Sequence, residues 1–135
     1  GIERDDVATT QAEIVKRDEL ATAFIASHQL ANNPGHILVV PNEHVENLYA
    51  LPDHLALPVT KLAREVASAL KQTTGCEGIS IRQHNEPGGG QDVWHYHVHV
   101  YPRFEDDDYF PNRSSKQSLE ERTEQAERVR QFLDG

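Results

Sequence analysis

The sequence predicts an α+β fold with an antiparallel sheet, and three observations lead to this expectation. Short segments of strand character recur along the chain, two longer segments have helical spacing, and no repeat or linker divides the 135 residues. Strands mixed with two helices in this way are typical of the α+β class. The length predicts a single domain over residues 1–135, large enough to bury a core.

Five strands are expected from the distribution of apolar residues and turn residues. The segment 12–26 has the pattern of two short strands around a turn at Lys16–Glu19, and 36–41 that of a buried strand closed by a proline. Segments 78–82 and 93–101 are expected to be strands joined by a glycine-rich loop. Residues 28–35 and 105–116 are expected to be loops, because they are rich in turn-forming or acidic residues.

Two helices are expected from spacing and capping signals. The first is marked by apolar residues at helical intervals, by Asp53 as an N-cap candidate and by Gly75 as a stop. Pro58 fits this helix only in or near its first turn. The second helix is expected over about 118–133, where Ser118 and Glu121 match a capping box. The apolar residues of the first helix are Leu55, Val59, Leu62, Val66 and Leu70.

Composition narrows the function. Acidic residues outnumber basic ones by 22 to 13, and the net charge of −9 argues against a nucleic-acid partner. No apolar run is long enough for a membrane span, and no signal peptide is recognisable, so we expect a cytoplasmic protein without a membrane partner. Cys76 is the only cysteine, and we expect it to be a small buried residue.

The stretch "GGGQDVWHYHVHVYPR" carries the chemistry. On a strand, His95, His97 and His99 would share one face, and the intervening residues from Trp94 to Val100 would form a core face. A straight row of three such histidines spans about 13 Å, too far to close on one metal ion without further ligands. Alternatively, the central histidine is a nucleophile, with one nitrogen oriented by an acceptor and with phosphate held by neighbouring histidines and loop amides. Both interpretations remain open from the residues alone.

Three motifs resemble the histidine triad (HIT) superfamily of nucleotidyl hydrolases and transferases. They are "HYHVHVY", the preceding "NEPGGGQDVW", and "NNPGHILVVPNEHVENL" at residues 32–48. The resemblance implies five-stranded antiparallel sheets joined across a homodimer, a site for a purine nucleotide (AMP or GMP moiety), and no cofactor for catalysis.

The resemblance also implies individual roles. His97 matches the nucleophile that forms a nucleotidyl-histidine, oriented by the backbone carbonyl of His95. His99 matches the phosphate-contacting histidine, and Gln91 the glutamine near the leaving oxygen. The remaining matches are substrate-binding positions: Asn85 and Gly90 near the phosphate or ribose, His36 behind the triad, His28 at the ribose position, and Phe24, Leu38 and Ile14 around the base.

Two residues depart from the family pattern. His28 stands where members carry an acid or Asn for the ribose hydroxyls. Asp92 stands where Ser or Thr contacts phosphate, and because a carboxylate repels phosphate, we expect it to point away or to have another role.

A structural zinc is a further expectation from the resemblance. Some bacterial-type members bind zinc through the positions of His44 and His95 together with an N-terminal Cys-x-x-Cys. That motif often continues to Ile, and this chain begins Gly1-Ile2, so we expect the cysteine pair just upstream.

The sequence therefore predicts an enzyme that cleaves a purine nucleotide conjugate, either a nucleoside phosphoramidate or a dinucleoside polyphosphate. The spacing from Phe24 to His36 and the charged terminal helix favour the second substrate. Two alternatives are a nucleotide-binding regulatory module with little or no turnover, motivated by His28 and Asp92, and a metal hydrolase using His97 and His99.

Overall fold

A computed structural model describes residues 11–109 and 115–134, and its centre is a five-stranded antiparallel sheet. The strands lie in the order β1-β2-β4-β6-β5, and every neighbouring pair is antiparallel. Two short strands, β3 and β7, form a separate antiparallel pair. The strand bounds are β1 Ile14–Arg17, β2 Ala21–Ile25, β3 His28–Gln29, β4 Ile37–Pro41, β5 Gly78–Arg82, β6 Val98–Arg103 and β7 Ser115–Lys116. Together with two helices, α1 Asp53–Thr74 and α2 Leu119–Asp134, this confirms the predicted α+β class.

The main core lies between the sheet and the two helices. Side chains alternate along each strand, so one face of β2, β4 and β6 presents residues such as Ile25, Val39 and Val100 to the apolar stripe of α1. The five apolar residues predicted for α1 are all buried. Helix α2 adds Ala126 and Val129 to this core.

The opposite face of the sheet carries one continuous row of side chains. The register aligns Ile14 with Phe24, Phe24 with Leu38, Leu38 with His99, and His99 with Arg82. Residues directly opposite each other on neighbouring strands point to the same face, with Cα atoms about 4.5–5.5 Å apart. The triad residue His99 is therefore the neighbour of an apolar patch on one side and of an arginine on the other.

The predicted strand over 93–101 is wrong at its start, because β6 begins only at Val98. The backbone N–H of Tyr96 donates at 2.5 Å to the carbonyl of Val45, and Val45 lies outside the sheet. The chain therefore pairs with the neighbouring strands only from Val98 onward. Trp94 is also not a core residue, since it is 49 % exposed, whereas Tyr96, Val98 and Val100 are buried.

Helix α1 starts one residue differently from the capping prediction. Asp53 is its first residue, and Pro52 occupies the N-cap without a side-chain hydrogen bond. Pro58 lies within the helix, in its second turn, where its missing N–H removes one bond near the end of the helix. Gly75 ends the helix at φ +70°, a left-handed conformation that suits glycine.

Helix α2 begins as predicted. The Ser118 hydroxyl accepts from the Glu121 backbone N–H, which is the N-cap bond of the expected capping box, and it donates to the Glu121 carboxylate. Arg122 forms a buried ion pair with Glu13, and Arg130 donates to the Ile14 carbonyl. The helix therefore fastens the segment that carries Ile14 of the row. Among the described helices, none is long and apolar enough to cross a bilayer.

Both predicted loops contain a short strand. His28–Gln29 pairs with Ser115–Lys116, a contact between segments about 87 residues apart that local composition cannot show. Residues 110–114 of the second loop lie outside the described residues, as do residues 1–10. Cys76 is buried, as expected.

Candidate active site

His97 has one nitrogen fixed by the backbone and the other directed to the site. Its Nδ1 lies 2.7 Å from the carbonyl oxygen of His95, the contact that the resemblance implies. Because a carbonyl only accepts, Nδ1 carries the proton and Nε2 carries the lone pair. The ring is almost fully buried, and it meets the ring of His99 edge-on with centroids 4.9 Å apart. An oriented, neutral imidazole is the state that can act as a nucleophile.

His99 is held from behind by His36. Its Nδ1 lies 2.9 Å from Nε2 of His36, and His36 also bonds to the backbone of His28 in a way that favours its protonated form. Only a carbonyl acceptor has that effect, so His36 donates to His28 and accepts from His99. The ring of Tyr101 stacks on His36 at 4.0 Å between centroids and lies nearly parallel to that of His99.

Both members of this pair are strongly biased to the neutral state. Burial lowers the pKa of His36 to about 3, with repulsion from His97 adding to the effect. Burial also lowers the pKa of His99 to about 2, assisted by His36, His97, His84 and Arg82. The pKa of Tyr101 is raised to about 12, chiefly by burial. Near neutral pH, His36 and His99 therefore act through dipoles and hydrogen bonds rather than through charge.

His95 faces away from this pair. Its Nε2 lies 2.9 Å from the carbonyl oxygen of Pro41, and its ring meets that of His44 edge-on at 5.4 Å. The structure thus does not place the three histidines in one straight row. His97 and His99 face each other, whereas His95 points to the end of β4.

His44 and His95 are the two histidines implied for a structural zinc, and two imidazoles supply only half of a tetrahedral set. Within residues 11–109 and 115–134, no group of three or more His, Cys, Asp or Glu side chains is arranged to hold a metal ion. The cysteine ligands are expected upstream of Gly1, the first residue of the sequence. The described residues alone do not fit a zinc site.

His84, which the sequence analysis did not single out, lies against His99. Their rings meet edge-on at 5.6 Å, and Nδ1 of His84 is 2.8 Å from the Gly89 carbonyl. The sequence predicts substrate binding at Asn85, the residue next to His84. The Asn85 amide instead accepts from the Leu48 N–H at 2.7 Å and pairs with Gln83, so His84 rather than Asn85 is the side chain that faces the triad.

Gly90 is required by the packing of that histidine. Its φ of +94° is disfavoured for other residues, and an added Cβ would stand 3.3 Å from Nδ1 of His84. The loop amides expected to hold phosphate are occupied: the N–H groups of Gly89, Gly90 and Gln91 all donate to carbonyls of Glu86 or Pro87. The glycine loop thus supports His84 and does not present these amides to a ligand.

Gln91 fastens the same loop from inside. Its Oε1 accepts from the Glu86 N–H at 2.7 Å, and its Nε2 donates to the carbonyls of Glu46 and Val93 at 2.6 and 3.1 Å. Both amide protons are therefore used within the protein. In this state the side chain, which is buried, positions the loop and has no proton left for a leaving oxygen.

Asp92 does not point away from the triad. Its Oδ1 is 4.0 Å from Nε2 of His97, on the side that faces solvent, and the carboxylate is 85 % exposed whereas the histidine side chain is 7 % exposed. The expectation that it turns away is wrong, and the alternative of another role remains.

The residues predicted around the base lie together. Ile14, Phe24 and Val40 form a small apolar cluster with Leu38 packed against it, on the face that carries His99. His28 is exposed on β3, with Nδ1 3.1 Å from the Ser27 hydroxyl.

Arg82 is a second residue that sequence reasoning missed. It pairs with His99 in register and is close enough to lower the pKa of that histidine. The alternation of the strand 78–82 already placed Ser80 and Arg82 on one face. The sequence did not show that this face is the one that carries His99, because that depends on the pairing of the two strands.

The structure thus places a buried, oriented imidazole beside an apolar cluster and an arginine on the sheet of an α+β protein. The HIT domain model matches residues 8–106, and the chain belongs to the HIT family.

Relatives agree with this placement. An uncharacterized HIT-like protein of Borreliella burgdorferi is 37 % identical over 108 residues, covering 78 % of this chain and 76 % of that protein. A crystal structure of a Hit-like protein involved in cell-cycle regulation from Bartonella henselae, with an unknown ligand, superposes with a TM-score of 0.81 at 31 % identity, covering 88 % and 85 % of the two chains. The diadenosine triphosphate hydrolase of Plasmodium falciparum shares the fold, with a TM-score of 0.82 at 19 % identity over 93 % and 79 % of the chains.

Proposed function

We propose that this protein is a nucleotidyl hydrolase or transferase acting on a purine nucleotide conjugate through a covalent nucleotidyl-His97 intermediate. The observation that carries the proposal is the 2.7 Å bond from His97 Nδ1 to the His95 carbonyl, because it fixes the tautomer that leaves Nε2 as the attacking atom. An imidazole nitrogen that carries a lone pair needs no further base to attack.

The first step transfers the nucleotide to the protein. The lone pair of Nε2 forms a bond to the α-phosphorus, and the bond from phosphorus to the leaving group breaks with its electron pair on that group. A phosphate leaves as an anion, whereas an amine takes up a proton from solvent as it leaves. Because Nε2 carries no proton before the attack, no proton has to leave the ring. The intermediate therefore forms with Nδ1 still donating to the His95 carbonyl. The positive charge that the ring gains is spread towards that carbonyl.

The surroundings suit a nucleotide. The apolar row of Ile14, Phe24 and Leu38 lies one to three strands from His99 and therefore roughly 5–15 Å away, a nucleotide's length. Leu38 is partly exposed and can contact a base directly, whereas Ile14 and Phe24 are buried behind it. Arg82, on the opposite side of His99, supplies a cation for phosphate. The row does not distinguish adenine from guanine, and both substrate branches, phosphoramidates and dinucleoside polyphosphates, fit this arrangement.

The decisive experiment traps the intermediate. The protein is mixed with a panel of nucleoside phosphoramidates and dinucleoside polyphosphates, quenched, and analysed by intact mass and peptide mapping. We expect one nucleotidyl group on His97. His97→Ala should abolish turnover with nucleotide affinity largely kept, and a wild-type kcat in this variant would refute covalent catalysis by His97.

A second function is favoured by Asp92, whose carboxylate stands 4.0 Å from Nε2 and repels phosphate. A carboxylate in this place hinders the approach of the α-phosphate to Nε2, which favours a regulatory module that binds nucleotide with little turnover. Tight AMP binding without turnover of any member of the panel would support this function against the first. Homodimer formation, which would join two sheets, is a separate proposal to be measured by sedimentation.

A further inference from the structure

We propose that Asp92 is a catalytic residue: its carboxylate takes the proton from the water that hydrolyses the nucleotidyl-His97 intermediate. The inference rests on the proposed function, since it concerns the second half of that reaction. It makes use of a residue of the histidine stretch that does not turn away from His97 as expected from sequence.

The position of Asp92 suits the second step. A water that attacks phosphorus opposite the nitrogen stands about 5 Å from Nε2, from an approach of about 3–3.5 Å plus one bond length. The carboxylate starts 4.0 Å from Nε2 on an exposed side chain, so it can rotate to the flank of the phosphoryl group and reach the hydrogen-bond distance of about 2.6–3.2 Å that a general base needs from this water. Its exposure also lets solvent reach the same place.

His36, His97 and His99 are poorly suited to take this proton. Nδ1 of His99 is engaged with His36, and both rings have weakly basic nitrogens, since burial holds their pKa values far below the ordinary one. Nε2 of His97 is bonded to phosphorus at this stage, and its Nδ1 donates to the His95 carbonyl. Within the described part of the chain, Asp92 is the carboxylate whose contact with Nε2 of His97 the structure records.

The water oxygen forms a bond to phosphorus while one of its protons passes to Asp92. The bond from phosphorus to Nε2 breaks, and its electron pair returns to the nitrogen as the lone pair. The nucleoside monophosphate leaves, and the protonated carboxyl, being exposed, returns its proton to bulk solvent. The enzyme regains its starting state.

The charge of Asp92 should also weaken nucleotide binding. It repels the anionic product as well as the substrate, which weakens nucleotide binding in the ground state and favours release. Because the group is exposed and screened by solvent, this effect is small, up to about fivefold in affinity. Removal of the charge should therefore tighten AMP binding slightly and slow hydrolysis strongly, two effects in opposite directions.

The test separates the two halves of the reaction in rapid-quench kinetics. An adenosine 5′-phosphoramidate with a fluorescent amine reports formation by amine release, and intact mass reports breakdown. In Asp92→Asn we expect formation within about threefold of wild type and breakdown slowed by about 10²–10⁴-fold, the range for loss of a general base. The nucleotidyl-enzyme should then accumulate. Asp106→Asn, an exposed aspartate of the loop after β6, is the matched control and should behave as wild type.

Chemical rescue gives an independent readout. In Asp92→Gly, added formate should restore breakdown, since a small carboxylate can enter an exposed place. Breakdown at the wild-type rate in Asp92→Asn, an equal slowing of formation and breakdown, or failure of formate to rescue Asp92→Gly would overturn the proposal. Absence of any covalent intermediate in wild type would instead refute the proposed function itself, which keeps the two failures distinct.

Discussion

The bonded pair of His36 and His99 predicts an unusual dependence of stability on pH. In the unfolded chain each histidine takes up a proton near pH 6.5. In the folded protein, burial lowers the pKa of His36 to about 3 and that of His99 to about 2. Between these limits the unfolded state binds two more protons than the folded state, so the free energy of unfolding rises with pH in this range and falls as the solution is acidified.

The size of the effect follows from the pKa values. A histidine that stays neutral in the folded protein lowers the free energy of unfolding by about 1.4 kcal/mol at pH 5.5 relative to pH 7.5, because protonation then stabilises only the unfolded state. Two such residues cost about 2.7 kcal/mol together. This contribution is fully present above about pH 6.5, is lost progressively below it, and levels off only near the folded pKa values of about 2–3.

The assay is urea unfolding at pH 7.5 and 5.5 for wild type and for the double variant His36→Gln/His99→Asn. Gln keeps an acceptor near the position of Nε2, and Asn keeps a donor near that of Nδ1, so the side-chain bond can persist without a titrating ring. The variant should lose about 2.7 kcal/mol less than wild type over this interval. Equal losses in the two proteins would refute the conclusion that these rings remain neutral, as would NMR signals of either ring that titrate near pH 6.

Two further predictions concern positions where one atom decides the packing. Gly90→Ala should destabilise the fold by about 1–3 kcal/mol in urea unfolding, because it combines a positive φ with a Cβ 3.3 Å from His84. Gly89→Ala is the control: its Cβ would meet nothing within 4 Å, so stability should change by less than about 0.5 kcal/mol. Asp107→Asn should cost about 2–3 kcal/mol in the same assay, because the buried carboxylate accepts from Arg103, Asn33 and the Phe104 N–H, and a loss below about 0.5 kcal/mol would contradict the network's importance.

Much of the fold could be predicted because periodicity is a local property. The strand 78–82 has the predicted bounds, and the apolar spacing of α1 identifies the residues that are buried. The capping box at Ser118 is likewise local. What failed depended on distant partners: β6 starts late because Tyr96 bonds to Val45.

The candidate site shows the same division. Ile14, Phe24 and Leu38 were grouped by their match to known motifs, and the register places them in one row. The choice between His84 and Asn85 could not be made from sequence. These residues are adjacent, and the side chain that turns away is selected by the Leu48 N–H, 37 residues distant.

The sequence presents equivalent imidazoles, and the structure distinguishes them by the acceptor that each inner nitrogen finds. His95 donates to the Pro41 carbonyl and His97 donates to the His95 carbonyl. His99 donates instead to the ring of His36. A carbonyl remains an acceptor at every pH, so it fixes the tautomer of His97 and keeps Nε2 as a lone pair while the ring gains charge. A ring acceptor can itself be protonated, so the bond from His99 to His36 lasts only while His36 is neutral, a condition that its burial secures. The backbone-anchored residue is thus suited to attack phosphorus, and the ring-anchored residue to stay neutral beside it.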